Sequence, residues 1–225
     1  LNRYAISDIH GCAKTFRFLV EERLQLQLTD QLYLLGDYID RGPDSKGVLD
    51  FMMELQAKNF KITALMGNHE NLLLQAPENP QYLTTWLRNG GQTTLQSFNA
   101  PQVADISAKY LNFIAKLDYY HELPDYLLVH AGFNFKAANP FTDFEAMIWI
   151  RHFEVKEKFT QGRRIVHGHT PTMASEIMAS IGPPAESVIN IDGGCVYSWP
   201  PGLGKLVALN LDTLEVIMVD NRDDF

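Results

Sequence analysis

The sequence predicts a layered, mixed α/β fold with enough strands for two sheets. Three observations carry that prediction. Strand-like and helix-like stretches alternate through the first third of the chain, five strand-like runs end in polar clusters, and the chain closes on two apolar runs around Asp212-Thr213. Taken in order, "RYAIS" reads as a short strand, and residues 13–28 carry Phe16, Leu19, Val20 and Leu24 at helical spacing. "QLYLL" is a second strand, so the chain opens on a βαβ unit whose strands run parallel. "DSKGVLDFMMELQ" predicts a helix capped by Asp44 or Ser45, whose side-chain oxygens can accept from the free N–H groups of its first turn. "KITALM" is the third strand. Residues 71–117 are mostly helical, broken by Pro77, Pro80, Asn89-Gly90-Gly91 and Pro101. One helix there, opened by Asp105, places Ile106, Tyr110, Phe113, Ile114 and Leu117 on a single face. Strands return at "DYLLVH", "RRIVH" and "SVINI", and "KLVALNL" with "EVIMV" forms an antiparallel hairpin.

At 225 residues, with no Ser/Gly-rich or Pro-rich linker, the chain reads as one domain spanning 1–225. Apolar residues make up 46%, too many for a disordered chain, yet no uncharged apolar run reaches the length of a membrane span. No membrane partner is expected. The start "LNRYAISDIHG" lacks the features of a secretory signal, and Cys12 and Cys195 are too few for a disulfide framework, so a reducing cytoplasm is the simplest compartment. A net charge of −8 argues against nucleic acid, which needs Lys and Arg to displace phosphate counterions. An anionic substrate would require a local positive centre instead.

The five polar clusters supply one. They are "YAIS-DIHG", "LYLL-GDYIDRG", "ITALM-GNHE", "YLLV-HAG" and "RIV-HGHT". Ligand sites of α/β sheets form beyond the carboxyl ends of the strands, so clusters in that position can meet despite their distance in sequence. The side chains gathered are Asp8, His10, Asp37, Asp40, Arg41, Asn68, His69, His130, His167 and His169. Imidazoles, carboxylates and an amide oxygen suit divalent ions such as Mn²⁺, Fe²⁺ or Zn²⁺, and the set is large enough for two. Each motif alone has an ordinary reading as a capped turn; their conjunction, in order and at strand ends, carries the inference.

"SDIHG", "GDYIDRG" and "GNHE", followed by "VHAG" and "HGHTP", resemble the signature motifs of the phosphoprotein phosphatases in the calcineurin-like metallophosphoesterase superfamily. The resemblance runs on through "WLRNGG", "MIWIR" and "INIDGGCVY", nearest to the small phage and bacterial Ser/Thr/Tyr phosphatases. It implies an α-β-β-α sandwich with mixed sheets and two divalent metal ions, Mn²⁺ first, with Fe or Zn as alternatives. Asp8 and His10 are similar to ligands of one metal, Asp37 to the bridging carboxylate, and Asn68, His130 and His169 to ligands of the other. His69 resembles the general acid, held protonated by its partner Asp40, while Arg41 and Arg151 resemble phosphate clamps. The implied reaction is in-line hydrolysis of a phosphoprotein or small phosphoester by a water that two metals activate. The implied alternative is a symmetrical diadenosine tetraphosphatase, a related family whose motif resembles "GDLVARG" and lacks the second aspartate. A noncatalytic phospho-binding scaffold is the rival from another class.

Ser7, where glycine usually opens the first motif, and Ala131 after His130 are departures that leave the expected ligands in place. His167, two residues before His169, is expected to support the site without ligating; His121 and His152 read as surface or structural. Cys12 and Cys195 read as two free thiols, and Trp86, Tyr119 and Tyr120 as core or rim aromatics.

Overall fold

The computed structural model describes residues 1–182 and 186–224. Strand β1 (Arg3–Ile6) leads through helix α1 (Ala13–Phe18), extended by a wider turn over Leu19–Arg23, to β2 (Gln31–Leu34). These strands pair in parallel with Arg3 opposite Gln31, as the βαβ reading requires. The helix stops short of residue 28 because Gln25 takes a left-handed backbone, φ 47°, which lets Leu24 and Leu26 both turn into the core. Helix α2 (Ser45–Ala57) is capped by Asp44, whose carboxylate accepts from the Gly47 amide at 2.8 Å, and β3 (Lys61–Ala64) pairs in parallel with β2.

Residues 68–114 supply the expected helices, α3 (Asn68–Gln75), α4 (Pro80–Trp86), α5 (Gln92–Ser97) and α6 (Ala108–Ile114). Asp105 does not open α6. It closes a single 3₁₀ turn, Val103–Asp105; Ile106 is then extended, and the helix begins after Ser107. The break drops Ile106 into the core beside Tyr110 and Ile114 without a continuous helix.

Strands β4 (Tyr120–Glu122), β5 (Tyr126–Val129), β6 (Arg164–His167) and β7 (Val188–Asn190) form a second sheet in that order, parallel except for the β4–β5 pair. Helices α7 (Phe144–Trp149), α8 (Glu157–Thr160) and α9 (Ala174–Ile181) lie on the connections. The closing hairpin, β8 (Lys205–Asn210) and β9 (Val216–Asp220), returns to the first sheet, whose order is β3-β2-β1-β8-β9. Both sheets are therefore mixed.

The period-two alternation of strands sets the layers. Ala5, Tyr33 and Leu35 of the first sheet meet Tyr126, Leu128, Val166 and Ile189 of the second in one cluster. Their neighbours Ile6, Leu32 and Leu34 face the other way, toward Phe16, Val48, Phe51 and Met52 of α1 and α2. Leu127, Val129 and Ile165 face outward from the second sheet onto Phe133, Phe135 and Met147. The result is the layered sandwich, with the carboxyl ends of β1, β2, β3, β5 and β6 opening toward one side.

Candidate metal centre

Every polar cluster predicted to gather does so directly after its strand. Of the ten side chains named, Asp8, His10, Asp37, Asp40, Arg41 and His169 have positive φ, between 46° and 71°. Non-glycine residues rarely adopt this left-handed backbone, which costs about 1–3 kcal/mol each and persists where surrounding structure enforces it. The strain turns these side chains out of the strand direction and toward one another.

Asp37 stands at the centre. Its Oδ2 lies 3.5 Å from His10 Nε2 and 3.8 Å from His69 Nε2, while Oδ1 lies 3.4 Å from His130 Nε2. Asn68 Oδ1 is 3.1 Å from His130 Nε2 and 3.0 Å from His169 Nδ1. His10 Nδ1 donates to the Ile39 carbonyl and His130 Nδ1 to that of Leu35, each at 2.9 Å, so both Nε2 atoms carry lone pairs. Lone pairs thus face carboxylate and amide oxygens across buried gaps, an arrangement that calls for cations between them. Asp37 is common to two histidine groups, His10 and His69 on one side and His130 and His169 on the other. The buried Nε2 atoms of His69 and His169 have no hydrogen-bond partner among the described residues, which fits a site built for additional ions or substrate.

The electrostatics agree. Burial, reinforced by the Arg41 guanidinium, holds the His10 and His69 imidazoles well below their usual range, and burial lowers His130 as well. His169 is pushed down to about 2 by burial, then by His130 and Arg151. Neutral imidazoles are the form that ligates metals. Conversely, burial and the field of Asp8 push Asp37 well above the carboxylate range, and the same two causes raise Asp192. The pocket therefore disfavours its own negative charges until positive charge enters.

Asp8 is buried beside the group; its carboxylate accepts from the Ser7 hydroxyl and, at 3.0 and 3.2 Å, from the His169 amide. Arg41 reaches into the cluster, its guanidinium 2.7 Å from His10 Nε2 and over the Tyr197 ring. Arg151, past the end of α7, is exposed and makes no hydrogen bond among the described residues; its charge reaches His169. His167 makes no hydrogen bond to the cluster among the described residues, although its charge reaches His169. Strand β6 ends at this residue and His169 turns left-handed; His167 Nδ1 donates to the Gly168 carbonyl at 3.0 Å and its ring packs on Phe153.

His69 and Asp40 are fully buried, with Nδ1 2.7 Å from Oδ2. Trp86 Nε1 and the Thr94 hydroxyl both donate to the other carboxylate oxygen, at 3.1 and 2.6 Å, which leaves Oδ2 free for the histidine. Burial lowers His69 and raises Asp40 to about 8, so below that pH the expected partners hold one titratable proton between them. Whichever atom carries it, a pair with one titratable proton presents Nε2–H toward Asp37, and this is what proton donation to a leaving group requires.

Several supports were not singled out from sequence. Glu70 of "GNHE" is wholly buried and accepts from the amides of Asp37, Tyr38, Ile39 and Gly67, pinning the strained loop to α3. Trp86 is a core residue, but its indole N–H orients Asp40. Asp192, buried at the end of "INID", was signalled only by an acid standing before two glycines. Gly90 of "WLRNGG" sits at φ 107°, and a Cβ there would lie 2.8 Å from the Arg41 amide nitrogen. Gly90→Ala is therefore expected to cost about 1–3 kcal/mol and to raise KM by displacing Arg41; a thermal melt and steady-state kinetics check both.

These features define a phosphoesterase-type metal site on an α-β-β-α sandwich, and comparisons with known proteins agree. The model of the calcineurin-like phosphoesterase family matches residues 2–211, and the chain belongs to that family. A symmetrical bis(5'-nucleosyl)-tetraphosphatase of Nitrosococcus oceani is 28% identical over 94% of both chains. Serine/threonine-protein phosphatase 1 of Salmonella typhimurium is 31% identical over 75% of this chain and 78% of its own. Other tetraphosphatase relatives are matched over less than half of their own length, 42% and 44% in two cases. Among solved structures, the cold-active protein-tyrosine phosphatase of a Shewanella species superposes with a TM-score of 0.66 at 17% identity, covering 98% of this chain and 80% of that one, and so shares the fold. No helix among the described residues is long and apolar enough to cross a membrane.

Proposed function

We propose that the chain is a two-metal phosphomonoesterase acting on phosphoserine, phosphothreonine or phosphotyrosine in proteins. The observation that carries the metal reading is Asp37, whose two oxygens face two separate histidine groups. Asp37 would bridge, with Asp8 and His10 serving one ion and Asn68, His130 and His169 the other. Two divalent ions, of which Mn²⁺ suits the mixed donor set, would lower the pKa of a water between them and neutralise phosphoryl oxygens. Arg41 stands close enough to bind those oxygens through its planar fork, and Arg151 at the rim would add a second hold. His69 Nε2–H would then give its proton to the departing oxygen while Asp40 fixes the ring.

That last step favours the monoester reading. A serine or threonine alkoxide leaves poorly without a proton, and the Asp40–His69 pair supplies one. The names of several relatives favour the second reading, a symmetrical dinucleoside tetraphosphatase. Its nucleoside diphosphate leaving group departs with little proton assistance, and the motif of that family resembles one without Asp40. Two buried free thiols support a reducing compartment such as the cytoplasm.

One experiment tests both parts. Chelator should abolish hydrolysis of a phosphoserine peptide and Mn²⁺ should restore it, with diadenosine tetraphosphate turned over far more slowly. Activity indifferent to chelator would contradict the metal reading. Faster hydrolysis of the dinucleotide would replace the monoester reading with the second, and bound metal without turnover of any phosphoester would indicate a scaffold.

A further inference from the structure

A cavity of about 350 Å³ lies between α9 and the end of β7, and His167, two residues before the expected ligand His169, stands in its wall. Its wall includes Arg151, His167, Thr172, Glu176, Glu186 and Asn190. Apart from the Arg151 guanidinium and the Thr170 hydroxyl, its side-chain donors are engaged. The Asn190 amide donates to the Thr170 carbonyl and to the Thr172 hydroxyl oxygen, at 2.7 and 2.8 Å, and Thr172 passes its own hydrogen to Thr170 at 2.9 Å. His167 is 91% buried, and because its Nδ1 donates to Gly168, its Nε2 is an acceptor with no partner among the described residues. Glu176 and Glu186 are exposed on the wall and pair with no cation among the described residues. The wall is therefore rich in acceptors, with one strong donor, Arg151, at the end whose charge reaches His169.

Such a cavity is complementary to a ligand that is anionic at the metal end and carries several N–H donors at the other. We propose that it is a leaving-group subsite holding the guanidinium or ammonium of a basic residue close to the phosphorylated one in a peptide substrate. The proposal rests on the phosphomonoesterase reading and adds a sequence preference to it. His167 Nε2 and the two glutamates would accept from the basic side chain, and Arg151 would stay with the phosphoryl oxygens.

The test is a set of phosphoserine peptides with one arginine placed in turn at each of three positions on either side, against a parent with norleucine there, on the wild type and on the exposed-surface double variant Glu176→Gln/Glu186→Gln. At one position or more, arginine should raise kcat/KM by about five- to tenfold through KM, an advantage that weakens with salt. In the double variant the ratio of arginine to norleucine peptide should fall to near one. Equal rates at every position, or a preference that survives the double substitution, would overturn the subsite. A double variant that changes KM only for diadenosine tetraphosphate would do so too, by assigning the cavity to a nucleobase. If no peptide is hydrolysed while an aryl phosphate is, the protein-substrate reading itself fails and takes the subsite with it, a result distinct from equal peptide rates.

Discussion

Replacing His69 with asparagine is expected to lower turnover of a phosphoserine peptide by about 10²- to 10⁴-fold, or roughly 3–5 kcal/mol of barrier. An activated aryl phosphate should lose far less, because its leaving group needs no proton. The difference follows from geometry: His69 Nε2 has no partner among the described residues and faces Asp37 Oδ2 at 3.8 Å, while Nδ1 is fixed by Asp40. The same pair sets a pH dependence. Its proton is lost as pH rises through the raised value of Asp40, about 8, so peptide turnover should fall above that pH while aryl phosphate turnover does not fall with it. Equal losses on both substrates, or a peptide rate still rising beyond pH 9, would remove the pair as the acid.

The second large effect is expected of Asp37→Asn. Asparagine keeps an oxygen that can accept from the His69 amide, as Asp37 Oδ1 does at 3.2 Å, but it removes the charge shared by the two histidine groups. Affinity for divalent metal should fall by more than the 10- to 100-fold typical of losing a supporting group, and activity should fall with it. Stability should move the other way. Burial and Asp8 push Asp37 well above the carboxylate range, so its ionised form opposes folding of the metal-free chain at neutral pH. That penalty is absent at low pH, where the group is protonated in both states, and grows as pH rises above the unfolded-state value. A neutral amide relieves it, and the metal-free variant should melt about 2–4 °C higher for each kcal/mol relieved. A metal-free variant melting below the wild type at pH 7 would contradict this.

Much of this was legible in the residues. Short apolar runs ending in "SD", "GD", "GNH", "VH" and "HGH" place their polar ends at one side of the sheets, since a parallel strand can bring its carboxyl end nowhere else. What sequence could not show depends on residues far apart in the chain. Trp86 and Thr94 converge on Asp40 from 46 and 54 residues away, and Glu70 crosses from α3 to a loop more than thirty residues earlier. The lack of a hydrogen bond from His167 to the cluster has a local cause: the same-face rule holds along a strand, and the strand stops there. The helix start at Asp105 failed for a similar reason, because the extended Ile106 interrupts what periodicity alone joins.

The central claim is tested most directly by saturating the protein with Mn²⁺, removing the excess, and locating the bound ions by anomalous scattering. Two ions about 3.5–4 Å apart, one on the His10 side of Asp37 and the other on the side of Asn68, His130 and His169, are the expected result. A single ion, or ions bound away from Asp37, would contradict it.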